Sequence, residues 1–421
     1  MSVETVTLQK FVYGGDLLGR LDDGRAVFVP YGLPGETVHV RLIEDKKRFA
    51  RADLVEVLEP SPERIQPRCK HHFSLAANTP KTNWPQVCGG CHYQHVPYEE
   101  QLAYKRAILA DQLERIGKLE SPPVQATVPS PQPWYYRNHV QFHISPEGQL
   151  GFQAPRGAGV LAIEECHLPE QTINELWPQL EIESIPGLDR VAIRLGANDD
   201  LLIVLESSEP EPVSLSVDIP VSVLHQGPGG LLVLAGDDHI VIEVNERLFR
   251  VSAQSFFQVN TPMAAKMVDH LLENLDLTAQ TTLIDAYCGV GLFSAFLGPH
   301  VGKLIGIESS PSACDDFVIN LDEFDHVALY QAPVEDVLPE LEARPEVILV
   351  DPPRSGLGRR TLDGILALEP DTLAYVSCDP ATLARDAKRL TRGGYRLEAI
   401  TPFDLFPQTY HIESISLWKQ A

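Results

Sequence analysis

What most constrains this 421-residue chain is a change of rhythm from about residue 251 onward. There, short runs of buried type (TTLIDAY, KLIGIE, EVILVD, TLAYVS) alternate with stretches of helical periodicity. Strands that are apolar on both faces and separated by helices build a mainly parallel sheet with helices on both sides. The pattern predicts a doubly wound, Rossmann-like α/β domain over residues 251–421. Ligands of such sheets bind outside the carboxyl ends of the strands. Functional residues are therefore sought where these strands end.

The rest of the chain has a different texture, and the whole reads as multidomain. From Val3 to about Leu58, β-like runs (VTLQKFVY, RAVFVP, TVHVRLI, ADLVEVL) are broken by Gly, Asp and Pro turns, which predicts a small OB-like barrel over residues 1–60. The linker EPSPERIQP opens a Cys- and His-rich segment, residues 61–97, that needs something other than an apolar core to hold it. Residues 98–118 read as one amphipathic helix with Leu102, Ile108, Leu109, Leu113 and Ile116 on its apolar stripe and Gly117 closing it, packed on the catalytic domain. Short strands such as HVQFHI, VAIRL and LLIVLE make residues 119–250 a central β-rich domain.

Composition bears on compartment and partners. With 44% apolar residues the chain is not disordered, and no apolar run approaches the roughly 20 residues of a membrane helix. The start, MSVETVTLQK, lacks the basic and then apolar stretch of a secretory signal, so a cytoplasmic protein without membrane contact is expected. Seven cysteines in that reducing compartment are not a disulfide framework. A net charge of −24 counts against a broadly basic nucleic-acid surface, yet Arg41, Lys46, Lys47, Arg48 and Arg51 face only Glu44 and Asp45 in one short stretch.

Three strand ends carry chemistry. DAYCGVG (Asp285 to Gly291) follows one strand and precedes a helix, placing glycines where backbone must approach a ligand. The next strand ends in Glu308, 23 residues after Asp285, where a carboxylate can accept both hydroxyls of a ribose. A further strand runs into DPPRSG, which begins at Asp351, and no GxGxxG is present. Together these indicate a methyltransferase-type S-adenosylmethionine site rather than a dinucleotide site. The strand TLAYVS delivers Cys378 to the start of a helix with Asp379 as N-cap, Pro380 in the first turn and Gly393 at the exit. The helix dipole there favours a thiolate nucleophile; the plainer alternative is a small core cysteine. In HIESISLW, strand alternation puts Glu413 on the face of Ile415 and Leu417, where desolvation would raise its pKa toward that of a general base; the alternative is a solvated strand-end residue.

Cys69, Cys88, Cys91 and Cys166 are spaced C-x18-C-x2-C-x74-C. The CGGC pair can grip a metal with little strain, and four thiolates suit zinc or an iron–sulfur cluster, with His71, His72, His92 and His95 keeping zinc open.

SFFQVN (Ser255 to Asn260), DAYCGVG, DPPRSG, SCDPATLARD and HIES, in this order, resemble the class I RNA 5-methyluridine methyltransferases, and the N-terminal segment with YGLPGE resembles their TRAM domain. The resemblance covers most of the chain. It implies Cys378 as nucleophile and Glu413 as base, with Gln258, Tyr287, Glu308 and Asp351 lining the pocket for S-adenosylmethionine and the target base. Phe256 and Phe257 are candidates to stack on that base, or core aromatics. It further implies that Cys69, Cys88, Cys91 and Cys166, the last in EECHLPE, ligate a [4Fe-4S] cluster as in the large-subunit rRNA branch. The same resemblance implies an RNA substrate, rRNA rather than tRNA, and a monomer. A non-catalytic RNA-binding module is the reading from another class. Two departures stand out: a long insertion separates Cys69 from Cys88, and Asp379 stands where the family commonly has Asn. The added charge predicts a slightly less acidic Cys378.

Overall fold

The computed structural model describes residues 3–74, 84–180, 187–209 and 220–420. Part of the insertion between Cys69 and Cys88, residues 75–83, lies outside them. Five strands, β1 (Val3–Phe11), β2 (Asp16–Arg20), β3 (Ala26–Pro30), β4 (Thr37–Asp45) and β5 (Phe49–Glu59), close into a barrel in the order β1-β2-β3-β5-β4. Alternation in sequence becomes alternation in burial: Val6, Leu8, Val27, Val29, Val38 and Val40 fill the interior. Gly19 is required by that filling, because a Cβ there would lie 2.4 Å from Val6. The Pro-rich linker is fastened to the barrel through fully buried Glu36, which accepts from Arg64 Nε at 2.7 Å and from the Leu33 N–H at 2.8 Å.

The barrel core is not closed on itself. Phe73, Tyr93 and Val96 of the Cys-rich segment, Ile108 of helix α1 (Tyr98–Gln112) and Ile412 from the far end of the chain share it. On the other side of α1, Leu109 and Leu113 join the core of the C-terminal sheet, so this helix packs on both domains rather than on the catalytic one alone. Nor does Gly117 close it. The helix continues as a wider turn through Leu113–Gly117, and Lys118 takes the left-handed conformation with φ 61°. Gly117 serves packing instead, since a Cβ would come 3.2 Å from the Ala384 carbonyl oxygen, while Ile116 is exposed. Amid the apolar stripe sits Lys105, fully buried, whose ammonium bonds Asp404 Oδ1 at 2.5 Å and the Phe406 carbonyl at 3.0 Å.

The central region holds β6 (His139–Ile144), β7 (Leu150–Gln153), β8 (Val160–Ala162), β9 (Leu188–Leu195), β10 (Leu201–Ser207), β11 (Ser222–Gly227) and β12 (Gly230–Ala235) in one sheet, ordered β12-β11-β10-β9-β6-β7-β8, with helix α2 (Gln171–Leu176) beside it. One face, with Phe142, Val191 and Ile193, makes its own core; the other, with Ala192, Leu202 and Val204, joins the C-terminal core. The hairpin β13 (His239–Val244) and β14 (Arg247–Ser252) joins it too, through Ile240, Ile242, Phe249 and Val251.

The C-terminal sheet holds β15 (Thr282–Ala286), β16 (Lys303–Glu308), β17 (Val327–Gln331), β18 (Val347–Val350), β19 (Thr372–Ser377), β20 (Tyr395–Phe403) and β21 (Glu413–Gln420), ordered β17-β16-β15-β18-β19-β21-β20. The strands from β15 to β19 run parallel, and β21 enters antiparallel between β19 and β20. Helices α3 (Thr261–Asn274), α4 (Leu292–Leu297), α5 (Pro311–Asn320), α6 (Val334–Val337), α7 (Arg359–Leu368) and α8 (Pro380–Arg392) connect and cover it. The strand order turns at β15, which has β16 on one side and β18 on the other, the place where such sheets open a crevice. Among the described residues, no helix is long and apolar enough to cross a membrane.

Candidate active site

The nucleophile and base candidates meet through strand register. β19 and β21 pair Ser377 with Ser414, so one further antiparallel step sets Cys378 opposite Glu413. Asp379 caps α8 as expected, its Oδ1 accepting from the N–H groups of Ala381 at 2.9 Å and Thr382 at 2.8 Å, with Pro380 in the first turn and Gly393 at the end. Glu413 is buried at the start of β21. Ile415 and Leu417 share one core, as the alternation predicts, but Ser414 and Ser416 are equally buried, because β21 is an interior strand covered on both faces.

Electrostatics correct one expectation. The Cys378 thiol is not held as a thiolate by the helix terminus; burial, the carboxylates of Glu413 and Asp351, and Asp379 push it up to about 12, with Arg354 opposing. A helix dipole contributes about half a charge at an exposed terminus and is outweighed here by desolvation and carboxylates. The direction ascribed to Asp379 is as expected, though its part is smaller than that of the other two acids. Glu413 is raised well above the carboxyl range by burial and by Asp351, again with Arg354 opposing. Asp351 and Asp285, both desolvated, are pushed up to about 7. Arg354 lies within the DPPRSG motif, yet the motif alone gave it no role; its field on both groups is visible only in three dimensions.

Around the glycine turn the backbone is left-handed at three positions. Tyr287 takes φ 67°, unusual for a residue with a side chain, and Gly289 and Gly291 take φ 54° and 92°. A Cβ on Gly289 would meet nothing within 4 Å, so that side of the turn is open. Below it, Asp285 Oδ2 accepts from Ser294 Oγ at 2.6 Å, while its buried Oδ1 has no partner among the described residues. Glu308 stands at the end of β16, with its oxygens partly engaged by backbone. Oε1 already accepts from the N–H groups of Ser309 and Ser310, each at 2.7 Å, and Oε2 accepts from Gly289 at 3.1 Å. With two lone pairs per oxygen, one acceptor position on Oε2 remains.

The SFFQVN loop is pinned from several sides. Fully buried Asp316 accepts from Ser255 Oγ at 2.6 Å and Ser252 Oγ at 2.7 Å, Asn138 Nδ2 donates to the Gln258 carbonyl at 3.2 Å, and Asn260 caps α3. Gln258 is buried. The two phenylalanines divide: Phe257 packs in the core against Phe249, whereas Phe256 is 69% exposed.

Beside the central sheet, Cys69, Cys88, Cys91 and Cys166 line one cavity of about 200 Å³ with His71, Gln94, Arg137 and Leu168. N–H groups of His71 and Gly90 point to the sulfurs of Cys69 and Cys88, each at 3.4 Å. Gly89 lets the CGGC turn pass the central sheet, because a Cβ would meet the Gln153 carbonyl oxygen at 2.7 Å. Three of the four histidines serve backbone groups: His71 Nε2 accepts from the Glu164 N–H at 3.0 Å, and ring nitrogens of His72 and His95 bond the carbonyls of Phe73 and Gly32. Among the described residues, no three His, Cys, Asp or Glu side chains are grouped so as to hold one metal ion.

A family model described as tRNA (Uracil-5-)-methyltransferase matches residues 231–337 and 338–421, and a TRAM domain model matches residues 2–55. An uncharacterized RNA methyltransferase of Aquifex aeolicus is 35% identical, with 98% of this chain and 97% of the relative covered. Another, of Halalkalibacterium halodurans, is 33% identical over 99% of this chain and 96% of its own length. Among solved structures, the Pyrococcus abyssi tRNA (uracil-54, C5)-methyltransferase in complex with S-adenosyl-L-homocysteine superposes with a TM-score of 0.74 at 24% identity, covering 98% of this chain and 100% of that one.

Proposed function

The chain belongs to the RNA (uracil-5-)-methyltransferase family, and on that premise we propose that it methylates C5 of a uridine in large-subunit rRNA through a covalent Cys378 adduct. The observation that carries the covalent step is the β19–β21 register, which sets Cys378 beside Glu413. C5 of uracil is a poor nucleophile. Addition of the Cys378 sulfur to C6 moves electron density onto C5, which then takes the methyl group; Glu413 removes the C5 proton, the C6–S bond breaks and the thiolate is restored. S-adenosylmethionine supplies that methyl group when bound. Glu308, Tyr287, Gln258 and Asp351 would hold it, which fits the open side of Gly289 and the remaining acceptor position on Glu308.

Proton levels define what the site must accomplish before the bond to C6 forms. Cys378 must lose its proton, and Glu413 must be ionised when the C5 proton departs; Arg354 is the cation that favours both charged forms. Exposed Phe256 is the candidate to stack on a base drawn out of its helix.

The four-cysteine cavity is read as the seat of a [4Fe-4S] cluster: Cys69, Cys88, Cys91 and Cys166 would hold it, and the N–H groups aimed at the sulfurs of Cys69 and Cys88 suit thiolate ligands. Methyl transfer moves no electrons through it, so its work is to fasten the Cys-rich segment to the central sheet. The assembly proposed is a cytoplasmic monomer with RNA as its partner.

One observation favours tRNA as a second reading: the full-length likeness to a tRNA (uracil-54) enzyme, barrel included. The test is methyl transfer from labelled S-adenosylmethionine to unmodified rRNA and tRNA transcripts, with nucleoside mass spectrometry and a Cys378→Ala control. 5-Methyluridine in rRNA alone, lost in the variant, supports the first reading, and product in tRNA alone replaces it with the second. If neither RNA gains a methyl group, the non-catalytic RNA-binding reading takes its place.

A further inference from the structure

We propose that the barrel holds the catalytic cysteine in place, with Tyr13, on the turn between β1 and β2, acting as a positioning residue for Cys378 through its hydrogen bond to Asp379. The turn is built for this reach. Gly14 and Gly15 take φ 105° and 90°, and a Cβ on Gly15 would stand 3.4 Å from Tyr410, so the turn lies directly against the segment leading into β21. From it the Tyr13 hydroxyl donates to Asp379 Oδ2 at 2.8 Å, across 366 positions of sequence. The two oxygens of Asp379 thus divide their work: Oδ1 caps α8, and Oδ2 receives the tyrosine.

This division gives a reason for Asp at 379. An Asn could supply the cap with its carbonyl, but it would turn an NH₂ toward Tyr13 and lose the acceptor that the hydroxyl uses. The carboxylate carries a cost, because its charge lies next to the thiol, and the Tyr13 hydroxyl disperses part of it. Tyr13 is itself held protonated, burial and Asp379 driving its ionisation far above the ordinary range, so it stays a donor at any working pH.

The same ring touches the second catalytic segment. Tyr13 meets Tyr410 edge to face, with ring centres 6.0 Å apart, Tyr410 packs on His411 at 4.4 Å, and Ile412 lies within the barrel core immediately before Glu413. One barrel turn therefore braces both chain segments that deliver the reacting groups. A barrel that only gripped RNA would need no contact with the cap of α8.

This inference rests on Cys378 being the nucleophile, and the test separates the two. Groups acting on Cys378 are Glu413 and Asp351 from neighbouring strands, Arg354 from the DPPRSG loop, and Asp379. Tyr13→Phe keeps the ring and removes the hydroxyl. Two readouts are taken for wild type, Tyr13→Phe, Asp379→Asn and the double variant: the pH profile of Cys378 alkylation, mapped by peptide mass spectrometry without RNA, and kcat and KM for RNA methylation. Expected for Tyr13→Phe is an alkylation profile displaced to higher pH by about one unit, kcat about tenfold lower and KM within about twofold. On the Asp379→Asn background the same change should have little further effect, since the charge is gone. Unchanged alkylation and kcat in Tyr13→Phe, or an equal loss on both backgrounds, overturns the proposal. If Cys378→Ala retained full activity the nucleophile reading would fall, while the alkylation profile would still report whether Tyr13 acts on that thiol.

Discussion

Cys378 at the end of β19 and Cys91 in the cavity beside the central sheet are both thiols raised by burial, yet their neighbours differ in kind. Cys378 is surrounded by carboxylates and one arginine, groups whose charge can change as protons move. Cys91 feels chiefly other thiols, those of Cys166, Cys88 and Cys69, with the Gln94 side chain opposing the rise. Burial alone therefore does not assign a cysteine its chemistry. A single thiol among titratable groups suits a step in which a proton leaves and returns; four thiols in one cavity oppose each other's ionisation and stay protonated unless a positive charge joins them.

The comparison breaks most easily at its first member. Cys378→Ala should lower methyl transfer by at least about a thousandfold while leaving the circular dichroism spectrum and melting temperature close to wild type; substantial residual turnover would remove the covalent path. Glu413→Gln should slow turnover by about a hundredfold or more and let the protein–RNA adduct accumulate as a band resistant to denaturing gels. A slow variant without adduct would shift Glu413 from proton removal to an earlier step. At the second member, Cys91→Ser should abolish bound iron and sulfide and lower the melting temperature, with kcat of the folded fraction within about threefold of wild type. Stoichiometric zinc in the wild-type protein would replace the cluster assignment.

Smaller effects sharpen the electrostatic contrast. With the Cys378 thiol raised to about 12, the thiolate fraction grows about tenfold per pH unit below that value, so alkylation should keep climbing past pH 9 where an ordinary thiol levels off. Arg354→Gln removes the opposing cation and should slow alkylation at each pH by up to about tenfold; a plateau near pH 8.5 in the wild type would contradict the carboxylate surroundings. Smallest is the barrel patch. Arg51 and Lys46 already pair with Asp16 and Glu44, at 3.1 and 3.3 Å, so the patch is weaker than its sequence suggests. Replacing exposed Lys47 and Arg48 by Glu should weaken RNA binding a few-fold and flatten its salt dependence, measured as the slope of affinity against ionic strength.

Sequence was most informative where one local rule governs. Period-two alternation located the barrel, buried runs located β15, β16, β18 and β19, and the Asp-Pro pair with its closing glycine located α8 to the residue. β17 carries the weakest signal because it is an edge strand with half-exposed residues, which dilutes the apolar pattern. The end of α1 was misread because Gly117 is there for close approach to α8, a requirement invisible along the chain.

By itself, then, the sequence determined the elements, their order, the family and the candidate side chains for the chemistry, because these depend on neighbours a few positions apart and on motifs. Tertiary structure alone decided which of those side chains meet and in which protonation state. The β19–β21 pairing puts Cys378 beside Glu413, the crevice raises both, Arg354 opposes that rise, and Tyr13 arrives from the other end of the chain to bond Asp379. Register, burial and the sum of surrounding charges are properties of residues brought together from hundreds of positions apart, so no local pattern could encode them.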